Sequence, residues 1–314
     1  MKKRFEFAKF APLFALILLF VISSLTSPYF LNFRNITNIL RQSSYTGIIG
    51  LGLTFVIIGG GIDLSVGSMV ALAGGLAVMV LNAAGAGAMA IVWAVLAGLC
   101  AGALLGMVNG LIVTKGRIAP FIATLGTMSI FRSLTLYISN AGEFRSANDL
   151  YPELGSGYIL GLPIPVWIFF LMAVGFHIIL NNTRFGRYVC AVGANERVAE
   201  YSAIKIDLVK FLTYVLTGLS VAVSAILLSS RLNSLSSSNA GVFYELDAIA
   251  AVVIGGTSLS GGAGSVFGTV IGAVILGMIN NMLNMVGVSP YLQGTVKGLV
   301  IIFAVLAQYK RKSN

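Results

Sequence analysis

Asp63 is the acidic residue whose surroundings could do the most chemistry. It lies in Gly59-Gly60-Gly61-Ile62-Asp63-Leu64-Ser65-Val66-Gly67-Ser68, a glycine-rich break between two long apolar runs. A carboxylate there has two uses. It can accept from free N–H groups at the start of a helix beginning at Leu64 or Ser65, which is the preferred reading. It can also serve, with Ser65, as a gate or pathway group. A partial echo lies near the other end of the chain, Ile254-Gly255-Gly256-Thr257-Ser258-Leu259-Ser260-Gly261-Gly262, where Thr257 and Ser258 fill the polar insert. Lipid tolerates neither unpaired backbone nor a bare carboxylate, so each break must be buried in protein or line a wet cavity.

Other kinds of chemistry find no constellation. His177, the one histidine, ends an apolar run beside Asn181 and Asn182 and reads as a polar helix end. Cys100 lies in an apolar run and Cys190 in a basic loop, which suits neither a disulfide nor a metal site. There is no Ser-His-Asp set, no acid pair with a pocket, and no Gly-x-x-x-x-Gly-Lys-Ser/Thr loop for phosphates. The chain therefore reads as neither an enzyme nor a cofactor protein, and it cannot draw on ATP alone.

The elements that must position these groups are membrane helices. Of 314 residues 57% are hydrophobic and 10% charged, with mean hydropathy +0.95, against about 25% charged in soluble domains. Ten apolar segments stand out, near 10–25, 43–61, 65–82, 89–114, 118–139, 164–180, 210–229, 246–259, 264–286 and 295–309. The expectation is an all-α polytopic membrane protein of about ten transmembrane helices, some interrupted, forming one integral domain over 1–314. The eighth segment is short and glycine-broken, so a partial helix fits it.

An N-terminus placed inside puts Lys2, Lys3, Arg4, Lys9, Lys115, Arg117, Arg184, Arg187, Arg197, Lys205, Lys210, Lys310, Arg311 and Lys312 on one side. That is fourteen of the 20 Lys and Arg, so both termini read as cytoplasmic. The net charge of +10 then reflects this bias rather than a nucleic-acid partner. Residues 1–27 resemble a signal peptide, yet the topology needs a retained first helix.

Residues 181–210 form the longest cytoplasmic loop. Asn195 can cap a short helix whose first turn carries Glu196, with Val198, Ala199 and Ala203 as its small apolar face. Such a helix either plugs into a groove on a partner or lies on lipid headgroups beside Arg184, Arg187 and Arg197.

Longer motifs carry a resemblance. Gly61-Ile62-Asp63-Leu64-Ser65-Val66-Gly67-Ser68 and the run from Tyr244 to Gly262 resemble signatures of the ribose-type sugar ABC permeases. Thr183-Arg184-Phe185-Gly186-Arg187 followed by Gly193-Ala194-Asn195-Glu196 is similar to the segment by which that family contacts its ATPase, and Lys115-Gly116-Arg117 before Phe121-Ile122-Ala123-Thr124-Leu125 also fits. The resemblance runs from about residue 28 to 307 in order.

It implies the permease subunit of an ATP-driven importer of a monosaccharide, ribose or a similar pentose or hexose, in the bacterial inner membrane. Its implied partners are a cytoplasmic ABC ATPase with tandem nucleotide-binding domains, a periplasmic sugar-binding protein and a second permease chain. Other solutes (a nucleoside, a signalling furanose, a polyol) and a stand-alone secondary carrier are the alternatives.

The resemblance assigns ATPase coupling to Gly193, Ala194, Asn195, Glu196, Arg197, Ala199 and Ser202 within the loop. Glu196→Lys with Ala199→Asp is then expected to uncouple transport without harming expression. Ala203 stands where relatives carry Gly, a change expected to be mild in a helix. Asp63, Ser65, Asn109, Thr124, Thr257 and Ser258 are the gate or pathway candidates. Interhelical hydrogen bonding is the plainer role of Asn109, Thr124, Thr127 and Ser129. Arg132 and Lys297 are expected to snorkel or meet a carboxylate. Glu245 and Asp247, at the outer start of span eight, either meet the binding protein or cap and solvate that helix. The outward loops 140–163 and 230–245 are where the binding protein would sit.

Overall fold

The computed structural model describes residues 11–289 and 292–300, with 302 and 306. The terminal basic clusters Lys2 to Lys9 and Lys310 to Lys312, and most of 301–309, lie outside the described residues. The described chain is helical nearly throughout: α1 Ala11–Thr26, α2 Phe33–Ile58, α3 Val66–Ala84, α4 Ala88–Thr114, α5 Pro120–Ile138, α6 Glu153–Ser156, α7 Ile164–Asn182, α8 Arg184–Ala194, α9 Glu196–Tyr201, α10 Ile206–Leu232, α11 Tyr244–Ile254, α12 Val266–Met285 and α13 at 292–300. Each of the first nine apolar segments falls at least in part on a helix, and so do the described residues of the tenth, 295–300 with 302 and 306. Six helices are long and apolar enough to cross a membrane by length and composition: α3, α4, α5, α7, α10 and α12.

α2 departs most from the hydropathy reading. It begins at Phe33, ten residues before the apolar segment does, because Asn32 accepts from Arg34 N and Asn35 finds a partner on another helix. Asn35 and Asn281 of α12 bond reciprocally at 3.2 and 2.8 Å. The second half of α2 is buried on all sides, with Ile48, Ile49, Leu51, Leu53, Phe55 and Ile58 at 0% exposure. A helix apolar all round belongs at the centre of a bundle.

α10 is the other central helix and packs on α2, α3 and α4. Small residues permit the approach. A Cβ on Gly98, Gly102, Gly106 or Gly110, spaced four apart along α4, would run into Ile226, Gly218, Tyr214 or Phe211 of α10. α1 packs against α12 and is part of this assembly.

Two short ribbons close one end. β1 (Glu143–Arg145) pairs antiparallel with β4 (Ser234–Ser236) in the register Glu143↔Ser236, and β2 (Tyr158–Ile159) pairs with β3 (Leu162–Pro163). So the two loops expected to face outward are hydrogen-bonded to each other. Asn82 fastens the ribbon to the end of α3 by donating to Arg145 O and accepting from Ala147 N.

After β4 the chain turns back into the bundle. Leu235 lies against Gly74 of α3, and Gly241 lies against Gly67 in the first turn of the same helix. Seven residues of α3 correspond to about 10 Å of descent. α11 starts there and has 11 residues, about 16 Å, or roughly half of a 30 Å hydrocarbon layer. The partial helix expected at the eighth segment is therefore a half-length one. Its first turn stands inside the bundle rather than at the outer surface, which corrects the placement of Glu245 and Asp247.

Candidate functional site

The two glycine breaks and residues 193–203 meet at the end of the bundle opposite the ribbons. α2 ends at Ile58 and α11 at Ile254, and the chain after each turns through glycines at positive φ: Gly60 (80°), Gly256 (89°), Gly261 (80°) and Gly262 (78°). Left-handed backbone is the conformation glycine adopts at no steric cost. Gly262 N donates to Ile58 O at 2.8 Å, which ties one break to the other.

The last turn of α8 packs on this junction. A Cβ on Gly193 would collide with Ile58 O and Gly262 N, and one on Gly261 or Gly262 would meet the backbone of Gly193 or Ala194. Backbone-to-backbone contact of this kind admits no larger residue, so any displacement of 193–194 must push on both breaks.

Asp63 is fully buried and its carboxylate is hydrogen-bonded three ways. Oδ1 accepts from Ser65 N at 2.9 Å and from Ser65 Oγ at 2.7 Å, while Asn109 Nδ2 of α4 donates to Oδ2 at 3.2 Å and to Ser65 Oγ at 2.7 Å. Tyr214 of α10 donates to Ile62 O at 3.2 Å. The helix begins at Val66, later than expected, and Asp63 folds an Asx turn onto Ser65 rather than capping the first helical turn. Asn109 is the interhelical partner of the cluster, and its own Oδ1 has no partner among the described residues.

The remaining pathway candidates are local. Thr124 Oγ1 is buried and donates to Pro120 O on its own helix, so it bridges no helices. Thr127 and Ser129 likewise donate within α5, to Thr124 O and Leu125 O, which corrects their interhelical role. Thr257 is buried and accepts from Ser265 N at 3.4 Å. Ser258, half-buried, donates its N–H to Ala263 O at 2.9 Å and holds the turn.

In the α8–α9 segment Asn195 caps α9 by accepting from Val198 N at 3.2 Å, with Glu196 in the first turn. Lys210 Nζ meets Glu196 Oε1 at 2.6 Å, an exposed pair worth little by itself. Ala194, Asn195, Glu196, Arg197 and Ser202 are exposed. Ala199 is 2% exposed and packs into the core, so it anchors α9 instead of facing a partner. The expected apolar face of Val198, Ala199 and Ala203 does not exist, since Val198 points outward and α9 ends at Tyr201. The same burial spoils the Glu196→Lys, Ala199→Asp test, because Asp at 199 would be a buried charge. Ala203 lies past the helix end at φ 57°. That left-handed position favours glycine, so alanine there is strained, contrary to the helical expectation. Beside α9 opens a groove of about 810 Å³ lined by Arg117, Pro120, Glu200, Lys205, Asp207 and Lys210 among others.

Sequence reasoning named the charged groups around α11 but not how they are paired. Asp247 is 5% exposed and pairs with Lys297 of α13 at 2.8 Å, so it does not solvate the helix. Lys297 thus meets a carboxylate as expected. Arg132 donates at 2.8 Å to both Ser237 O and Ala240 O and pins the descending loop. The pairing of Gly67 with Gly241 is legible only once α3 and the turn before α11 are placed.

The family described as branched-chain amino acid transport system / permease component matches residues 35–305. This chain belongs to that family. The permease is 46% identical over 308 residues to the ribose import permease protein RbsC of Bacillus subtilis, covering 97% of this chain and 94% of the relative. It is 44% identical over 297 residues to the protein of the same name from Haemophilus influenzae, covering 93% and 90%. To the D-allose transport system permease protein AlsC of Escherichia coli it is 37% identical over 309 residues, covering 97% and 94%. No solved structure matches it. The permease is a multi-pass, all-α membrane protein whose role is transport rather than catalysis.

Proposed function

We propose that this permease is the membrane subunit of an ATP-driven importer for ribose in a bacterial inner membrane, with 1–314 as one transmembrane domain and 181–210 as its coupling loop. The observation that carries the mechanism is the backbone contact of Gly193 and Ala194 with both glycine breaks. The same segment presents Asn195, Glu196 and Arg197 outward beside a groove. A partner ATPase gripping α9 pushes on Ile58 and Gly262 together and tilts α2 and α11 at once.

The end bearing Arg117, Arg184, Arg187, Arg197 and Lys205 faces the cytoplasm by its positive charge. The ribbon end then faces the periplasm, where the paired loops 140–163 and 230–245 receive a sugar-binding protein. A second permease chain completes the pore. Two relatives named for ribose at 44–46% identity support ribose over D-allose, whose permease stands at 37%. In this reading Asp63, Ser65 and Asn109 lock the hinge of the inner gate, Thr257 and Ser258 shape its counterpart, and Thr124 supports α5.

The test is ATP-driven uptake of labelled ribose into proteoliposomes holding the permease, its ATPase and its binding protein. Uptake that requires all three and exceeds that of allose is expected. Equal ribose flux by the permease alone, down its gradient, defeats the proposal.

A further inference from the structure

Glu245 occupies an unusual position for a carboxylate. It stands in the first turn of the half-length α11, with Oε2 packed against Gly67 of α3, well inside the bundle. It is half-buried. Among the described residues no cation lies within salt-bridge distance of it, and no other residue hydrogen-bonds its carboxylate. Its charged neighbours are Arg132, whose guanidinium is partly spent on two carbonyls, and Asp247, which belongs to Lys297. Beside it Val242, Phe243 and Leu246 are 42%, 56% and 42% exposed.

An accessible, unpaired carboxylate at membrane depth cannot face hydrocarbon. The surface it shares with Phe243 must therefore face water or protein. The start of a half-length helix near mid-depth is also where membrane carriers hold their solutes.

We propose that Glu245, with Arg132 nearby and the exposed Phe243 two residues before it, is the contact point for a neutral polyhydroxylated solute crossing the membrane. The pairing of charges selects the solute. A carboxylate only accepts hydrogen bonds and a guanidinium only donates them. A hydroxylated ring does both, whereas a simple anion is repelled by Glu245 and a simple cation by Arg132. Phe243 offers an apolar face to the C–H side of such a ring. Two charge-assisted bonds orient it, and competition from water at both groups keeps the net hold small enough for release. This assignment rests on the proposed sugar import and names where within the permease the sugar is touched.

The test uses the reconstituted importer with labelled ribose and 2-deoxyribose. Glu245→Gln keeps the packing against Gly67 but removes the charge. Ribose uptake is expected to slow about tenfold, and the preference for ribose over the deoxy sugar to shrink by a similar factor. Unchanged uptake, or an equal loss for both sugars, overturns the assignment. In a second chain Phe243→Cys is introduced with Cys100→Ser and Cys190→Ser. A charged, water-soluble thiosulfonate is expected to modify it and block uptake, and ribose to slow the modification. A spontaneous disulfide between two copies, or resistance to the reagent until detergent denatures the protein, shows that a second copy covers the patch and overturns it. Wild-type vesicles that take up no ribose defeat the ribose reading itself, a result independent of either variant.

Discussion

The two glycine breaks share a sequence outline and an end of the bundle, yet different forces hold them. The first is held by side chains: Asp63, Ser65 and Asn109 form a buried polar cluster reaching from the break to α4. The second is held by backbone. Gly255 packs on Gly268 of the next helix, Ser258 and Ala263 close a turn, and Thr257 accepts from Ser265 N within the same stretch of chain. A polar lock fails when one partner is removed, because the other is left buried and unsatisfied. A backbone seat fails when volume is added, because close packing cannot absorb it. The shared contact of both with Gly193 is what makes them one device.

The strongest way to break the comparison is to act on the shared contact. Gly193→Ala places a Cβ into Ile58 O. It is expected to destabilise the junction by about 3 kcal/mol and to abolish coupled uptake, read as ATP hydrolysis continuing without sugar movement. Retained coupling would separate the two breaks.

Asn109→Leu tests the polar lock alone. Asp63 loses its partner on α4, and a loss of about 2 kcal/mol in thermal melting of the detergent-solubilised permease is expected. The double variant with Asp63→Asn should then cost less than the sum of the two, since the pair acts as a unit.

Thr257→Val is the matching change in the second break. It keeps the shape and removes the acceptor for Ser265 N, so about 1 kcal/mol is expected, less than for Asn109→Leu. A larger effect than that of Asn109→Leu would reverse the assignment of polar lock and backbone seat.

The smallest effect is a gain. Ala203→Gly relieves a left-handed alanine just beyond α9 and is expected to raise stability by about 0.5 kcal/mol, with uptake unchanged.

Much of this was legible along the chain. The apolar segments fell on helices wherever their residues are described, and Asn195 with Glu196 announced α9 because capping chemistry is local. The glycines of both breaks declared turns for the same reason. The first ten residues of α2 were not legible, since Arg34, Asn35 and Arg41 look unsuited to a span until Asn281 stands opposite Asn35. The β1–β4 ribbon joins residues some ninety apart in pairs that no local pattern encodes.

The sequence by itself determined the class, the helices, the turns and the family, because hydropathy, glycine and capping act within a few residues. Only the tertiary structure decided which groups share a site. Whether Asp63 meets Asn109, whether Ala199 faces a partner or the core, and whether Glu245 lies at the surface or deep in the membrane depend on helices far apart in the chain. Depth, partnership and burial are properties of the packed bundle, and they decide whether a polar residue becomes a lock, an anchor or a place to touch a solute.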